Sequence, residues 1–320
     1  MTESVTDASC TEPAYQGAIE LGFRAIEALE ETSRLSGWDG EYRQIEAGQL
    51  QATVNTNQIG SVILTRERAS RSLELALSCP ESALTLLVPM SSPKTKINGH
   101  GLQGDRAVLL SPGKVIHAIS PAYADVLNIT IADDVFRSYA HKMLQRSQLK
   151  GKEGLRTLKF GPHIAWLRAL SLYATRRAED APIERDLEAL IIEGVIQRIG
   201  AAEQARPQGD KYHRLARGKV LVRLADYIDE NLQGHIALSD LCEVGRVSQS
   251  TLQRLCRGEF GLSPYEYVQA RRLDAARRQL QGRERNMPIA EIAQRSGFNH
   301  MGRFAAAYRR HFGVLPSESL

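Results

Sequence analysis

The sequence is poor in the features that mark several protein classes. Its four cysteines, Cys10, Cys79, Cys242 and Cys256, lie far apart with no C-x-x-C pair. This excludes a disulfide framework and a structural zinc ribbon, and it suits a reducing compartment. Apolar runs such as residues 83–88 stop well short of the ~20 residues a membrane helix needs. The first residues carry neither a basic nor an apolar signal region, so a cytoplasmic protein without a secretory signal is expected. Histidines at 100, 117, 141 and 163 stand alone, without the His-x-His spacing of a metal centre. No Ser/His/Asp or Cys/His nucleophile set and no glycine-rich phosphate loop is present. The reading is therefore not an enzyme, with no metal and no cofactor.

What is present fits a two-domain globular chain. The 320 residues are 42% hydrophobic and 24% charged, and the overall charge is +4. That figure hides an asymmetry. Residues 211–320 hold 2 lysines and 16 arginines against 11 acids, whereas residues 1–210 hold 23 basic and 26 acidic side chains. Arginine's planar fork suits phosphate and guanine better than lysine's point charge.

Residues 200–210 lose apolar periodicity and carry Pro207 and Gly209, which predicts a linker at 206–212. The expected division is 1–205 for effector binding and dimerisation, and 213–320 for a helical domain. Before the linker, a helix is predicted at 18–33. Short strands follow at 41–47, 51–55, 61–68, 72–78, 83–89, 107–110, 115–119 and 126–131. Their spacing, with turn residues such as Asn57, Gly60, Pro80 and Gly113 between them, predicts a sandwich or small barrel. Helices are predicted at 133–146, 162–177 and 184–200. In the last, Leu187, Ile191, Val195 and Ile199 recur every four residues. That stripe packs either on its own barrel or on a second copy, through helices at about 162–200.

The helical domain reads as two helix-turn-helix units. In the first, Leu238, Leu241 and Cys242 give an apolar face, Gly245 supplies a positive φ for the turn and Ser248 caps the second helix. Leu252, Leu255 and Cys256 face inward, leaving Gln249, Ser250, Gln253, Arg254 and Arg257 outward for bases and phosphates. In the second, Ile289, Ile292 and Ala293 form the face, Gly297 makes the turn and Asn299 is the expected cap. Phe304, Tyr308 and Phe312 are buried, leaving His300, Met301, Arg303, Arg309 and Arg310 for DNA. Between the units, Ser263-Pro264-Tyr265-Glu266 opens a long connecting helix with a capping box.

The run from Ile289 to Ser317, I-x-x-I-A-x-x-x-G-F-x-x-x-x-x-F followed by F-G-x-x-P-S, resembles the signature of the AraC/XylS family of bacterial transcription regulators. Phe260-Gly261-Leu-Ser-Pro-Tyr-Glu-Tyr and the Arg271-Arg-Leu-Asp-Ala-Ala-Arg run match it too, so the likeness spans about 215–320. The resemblance implies two recognition helices in successive major grooves of double-stranded promoter DNA, activation rather than repression, and RNA polymerase as a partner. It also implies a cupin-like β-barrel over about 40–132, with dimerisation helices over about 133–200, in a bacterial cytoplasm. The fold class is thus α+β followed by an all-α dual helix-turn-helix domain. Arg246 and Gly302 depart from the family pattern, which has Gly and Ser there.

One patch in the N-terminal part points to an effector. Val62, Leu64, Arg66 and Arg68 share one strand face, Arg71 lies just beyond it, and Asn55 and Asn57 precede it. Three guanidiniums so close need neutralising, by acids such as Glu67 and Glu74, by solvent, or by an anionic ligand. The patch partly resembles the cyclic-di-GMP signature of PilZ domains, though its arginine spacing is R-x-R-x-x-R and the element order is reversed. Cyclic-di-GMP, with control of exopolysaccharide genes, is the leading expectation. A small metabolite or sugar in the barrel, a ligand-independent DNA binder, and a cupin-type enzyme fused to a DNA-binding domain are the alternatives.

Overall fold

The computed structural model describes residues 19–23, 26–90, 95–98, 100–102, 105–143, 155–161, 164–174, 181–204, 211–282 and 287–319. Two antiparallel sheets face each other in the N-terminal part. The seven-stranded sheet runs β1 (Ile19–Phe23), β3 (Ala52–Ile59), β4 (Val62–Ala69), β11 (Ala124–Ala132), β6 (Ala83–Pro89), β9 (Arg106–Leu110), β12 (Leu155–Lys159). The five-stranded sheet runs β2 (Asp39–Gln44), β5 (Leu73–Ser78), β10 (Val115–Ser120), β7 (Thr95–Ile97), β8 (His100–Leu102). Both sheets are open, so the expected closed barrel is corrected to a sandwich with free edges.

Period-two alternation gives the large sheet two apolar faces. Val54, Leu87, Val108 and Leu110 face the small sheet's Leu73, Leu75, Leu77 and Ile116, forming the sandwich interior. Val62, Leu64, Leu86, Ile129 and Ile131 face the other way and are covered by three helices, α2 (Asp133–Met143), α3 (Ile164–Ala174) and α4 (Ala181–Gln204). The α4 stripe of Leu187, Ile191, Val195 and Ile199 is spent on this core. It is therefore not a seam offered to a second copy. The helix expected at 18–33 is instead strand β1 followed by α1 (Ile26–Leu35), and strand β3 runs on through Asn57 to a turn at Gly60. Residues 206–210 of the expected linker lie outside the described residues, while 211 and 212 already belong to helix α5 (Lys211–Glu230).

Five further helices complete the C-terminal part: α6 (Leu238–Gly245), α7 (Gln249–Phe260), α8 (Pro264–Gln281), α9 (Ile289–Arg295) and α10 (Met301–Phe312). Helix α8 is shared between two cores. Tyr267 and Val268 in its first half pack with Val220, Leu224, Leu241, Leu252 and Cys256. Leu273, Ala276 and Leu280 in its second half pack with Ile292, Ala293, Phe304 and Tyr308. Its start is the expected capping box, with Ser263 Oγ accepting from the Glu266 amide at 3.3 Å and the Glu266 carboxylate accepting from the Ser263 amide at 2.7 Å.

The two turns differ from the sequence reading in one respect each. Gly245 ends α6 and the left-handed residue is Arg246, at φ 53°. Gly245 is needed for space instead, since a Cβ there would sit 3.1 Å from Val247 and 3.4 Å from Val220. In the second unit Gly297 does take a positive φ, 81°, but the residue preceding α10 is His300, not Asn299, and it makes no side-chain cap.

A Cβ at Gly297 would collide with the Leu232 backbone carbonyl, whereas nothing lies within 4 Å of one at Gly302. Gly297→Ala is expected to lower the unfolding free energy by about 1–3 kcal/mol in urea denaturation. Gly302→Ala, inside a helix with open space around it, is expected to raise it by roughly 0.5–1 kcal/mol.

Candidate nucleic-acid interface

Helix α7 is oriented by its buried side. Leu252, Cys256 and Phe260 are in the core, and Ser248 Oγ accepts from the Thr251 amide at 3.3 Å to fix its first turn. Gln249, Ser250, Gln253, Arg254 and Arg257 all stand exposed on the opposite side. Helix α10 is built the same way. Phe304, Ala307, Tyr308, His311 and Phe312 are buried, with the rings of Phe304, Tyr308 and Phe312 in series at 5.6 and 4.7 Å, each tilted against the next. His300, Met301, Arg303, Arg309 and Arg310 stand exposed. Helix α8 spans about 27 Å at 1.5 Å per residue and ties the two exposed faces together.

The arginines of α8 have a different task, which the sequence reading missed. Three of them, Arg271, Arg277 and Arg278, face the N-terminal sandwich, while Arg272 donates to the Gly234 carbonyl. Arg271 donates to Glu74 on β5 at 2.8 Å and to Asp229 on α5 at 2.9 and 2.5 Å, while Tyr267 donates its hydroxyl to Glu74 at 2.7 Å. Arg278 donates to Glu30 on α1 at 2.7 Å and to the Tyr42 carbonyl at 2.9 Å, and Arg277 reaches Glu27. Burial alone would raise the Asp274 carboxyl, but Arg277, Arg278 and Arg43 around it hold it below the usual range. At the end of α10, the His311 carbonyl accepts from the Gly48 amide at 2.8 Å and from Gln44 Nε2 at 2.9 Å. Burial lowers the His311 imidazole below its ordinary value.

The residues expected to bind an effector share a face only in part. Asn55 pairs across the strands with Arg66, and Asn57 with Leu64. That face is the one covered by helices, not the sandwich interior. Arg66 is held by Asp125 in a two-pronged pair at 2.8 and 2.7 Å, which pushes its guanidinium above the usual value. Arg71 lies beyond the strand, 3.7 Å from Glu46 and 3.4 Å from the Gln49 carbonyl. Arg68 is exposed. The neutralising acids are thus Asp125 and Glu46. Glu67 points into the sandwich, and Glu74 pairs with Arg271.

That interior holds a cavity of about 60 Å³ lined largely by aliphatic side chains. Glu67 reaches into it, accepting from the Tyr42 hydroxyl at 3.3 Å and from Asn128 Nδ2 at 3.4 Å. Burial pushes the Glu67 carboxyl up to about 7. A broader cleft of about 920 Å³ separates β10 from α5 and α6, but Glu74 and Glu259 in it are already bridged by Arg271 and Lys96. Among the described residues, no cluster of histidine, cysteine and carboxylate side chains could hold a metal ion. No helix is long and apolar enough to cross a membrane, again among the described residues.

Residues 241–320 match the family described as "Helix-turn-helix domain". Over 99 residues the chain is 39% identical to the XylDLEGF operon transcriptional activator of Pseudomonas putida, covering 31% of each chain. Over 97 residues it is 33% identical to the probable transcriptional regulator LumQ of Photobacterium leiognathi, covering 30% of this chain and 38% of that one. A solved transcriptional regulator with an AraC-type DNA-binding domain, from Chromobacterium violaceum, is 28% identical, with a TM-score of 0.30 over 32% of this chain and 88% of that one. The matched stretch spans about a third of the length of the curated relatives. The C-terminal part is therefore a helix-turn-helix domain. It is of the AraC/XylS type, and its homologues are transcription regulators.

The Glu67 carboxyl gives a pH dependence with a definite sign. Its value in the folded chain lies above the ordinary 4.5, so the folded state binds more protons and loses stability as pH rises from about 4.5 to about 7. Glu67→Gln removes this. Its stability advantage over the wild type is expected to grow through that window by up to about 3 kcal/mol and then level off. Thermal unfolding of both proteins between pH 5 and 8.5 checks it.

Proposed function

We propose that the chain is a sequence-specific transcription regulator in which α7 and α10 read double-stranded promoter DNA and the N-terminal sandwich senses a small molecule. One observation carries the DNA-binding reading: ten polar, basic or Met side chains stand exposed on two helices whose opposite sides are locked into the two halves of α8. Activation is the favoured direction, by analogy with the Pseudomonas operon activator, with RNA polymerase as the partner that the family resemblance implies. The N-terminal unit of 1–205 and the DNA-binding unit of 213–320 keep their assigned roles in this reading. A homodimer through α3 and α4 would use the outer side of α4, where Leu190 is 51% exposed.

For the effector, we favour the sandwich cavity over an anion at Asn55, Asn57, Arg66, Arg68 and Arg71. Asp125 already occupies both prongs of Arg66, and an incoming phosphate would have to displace it. Calorimetric titration of cyclic-di-GMP into the whole chain is expected to show no saturable heat. Saturable binding that is lost in Arg66→Ala/Arg68→Ala would return the effector site to those arginines.

The DNA-binding assignment is tested with fragments selected in vitro from random DNA. Arg254→Ala and Arg303→Ala are each expected to weaken binding to a selected fragment by roughly 1–3 kcal/mol and to relax preference at a few base pairs. Full specificity and an unchanged salt slope in both variants would remove α7 and α10 as the reading helices.

A further inference from the structure

We propose that the sandwich cavity takes a small primary amine with an apolar body, held by Glu67, and that Tyr42 passes its occupancy to α8. The proposal rests on the reading of the sandwich as a sensor and names the ligand chemistry of that site.

The cavity lining holds one unpartnered donor, Trp38 Nε1, and on its other polar side a surplus of acceptors. Glu67 brings a carboxylate, and no cation among the described residues pairs with it; its partners are the hydroxyl of Tyr42 and the amide of Asn128. Asn128 Oδ1, an acceptor on a residue only 6% exposed, has no hydrogen-bond partner. An ammonium group supplies what both lack, a countercharge for Glu67 and a second proton for Asn128. Most of the remaining wall, including Leu29, Leu75, Ile116 and Val126, is hydrocarbon, with Arg68, Thr95 and Ser120 as further polar residues in the lining. About 60 Å³ is room for roughly four or five water-sized groups, which fits a branched alkylamine of that many heavy atoms.

Tyr42 connects this site to the DNA-binding unit through three different atoms. Its hydroxyl sits on Glu67 and on Ser33 Oγ at 2.9 Å. Its backbone amide donates to Glu30 at 2.7 Å, and its carbonyl accepts from Arg278 on α8 at 2.9 Å. Glu30 and Arg278 are themselves paired at 2.7 Å. An ammonium on Glu67 competes with the Tyr42 hydroxyl for the carboxylate, so β2 shifts exactly where it holds Arg278. Coupling of this kind is reciprocal, so bound DNA must change amine affinity by the same factor.

The test uses the full chain, isobutylamine as the probe, and isobutanol and isobutyrate as isosteric controls. Calorimetry is expected to show saturable binding of the amine alone, weakened at least tenfold by Glu67→Gln and also by Asn128→Leu. Saturating amine is expected to change affinity for a selected DNA fragment at least fivefold. Glu30→Gln, outside the cavity and outside the DNA interface, is expected to keep amine binding within twofold and to abolish that change. Equal binding of the alcohol, or amine binding indifferent to both cavity variants, overturns the ligand assignment. An amine effect on DNA affinity that persists in Glu30→Gln overturns the relay. Failure to select any DNA fragment would instead overturn the regulator reading, while the calorimetry would still decide the ligand.

Discussion

The side chain of Arg271 is 2% exposed and sits between Glu74 of the sandwich and Asp229 of α5. Removing a guanidinium from water costs several kcal/mol unless carboxylates surround it. Both acids must therefore be in place whenever α8 is packed against the small sheet. Such pairs add little net stability, but they tolerate few alternative arrangements. The same logic repeats along the helix at Arg277 with Glu27 and Asp274, and at Arg278 with Glu30 and Asp274. These contacts fix how the two parts of the chain meet.

This seam also reinterprets the charge distribution. An acid-rich first part and an arginine-rich second part look like a protein prepared for DNA, and some of that surplus is. Arg254, Arg303, Arg309 and Arg310 remain exposed. Three arginines of α8, however, are answered by carboxylates from the chain's own sandwich. Composition counts charges but cannot say which of them meet each other.

The C-terminal helices were legible because their signals are local: a capping box, apolar residues every three or four positions, and a glycine at a left-handed turn. The exceptions were local too. Arg246 adopts the left-handed conformation beside a glycine whose value lies in its missing side chain, and His300 precedes α10 without capping it. In the sandwich, strands with alternation or a continuous apolar run between turn residues were found, while β7 and β8, of three residues each, carry too few positions to show a period. Sheet closure depends on which edges meet, and no stretch of sequence records that. The arginine strip was visible, but the residue that neutralises Arg66 lies 59 positions away on β11. The Glu67 site was hidden for the opposite reason: a single acid in a strand looks like surface until its neighbours are known.

Because both helix-turn-helix cores draw on α8, its length acts as a ruler cut in fixed increments. Each residue inserted in the middle would advance the second unit by about 1.5 Å and swing it by about 100°. One or two extra residues would turn α10 away from the side that α7 faces, while seven or eleven would nearly restore alignment at a longer reach. Evolution can thus retune what each helix touches one side chain at a time, but it can change the distance between them only by whole turns.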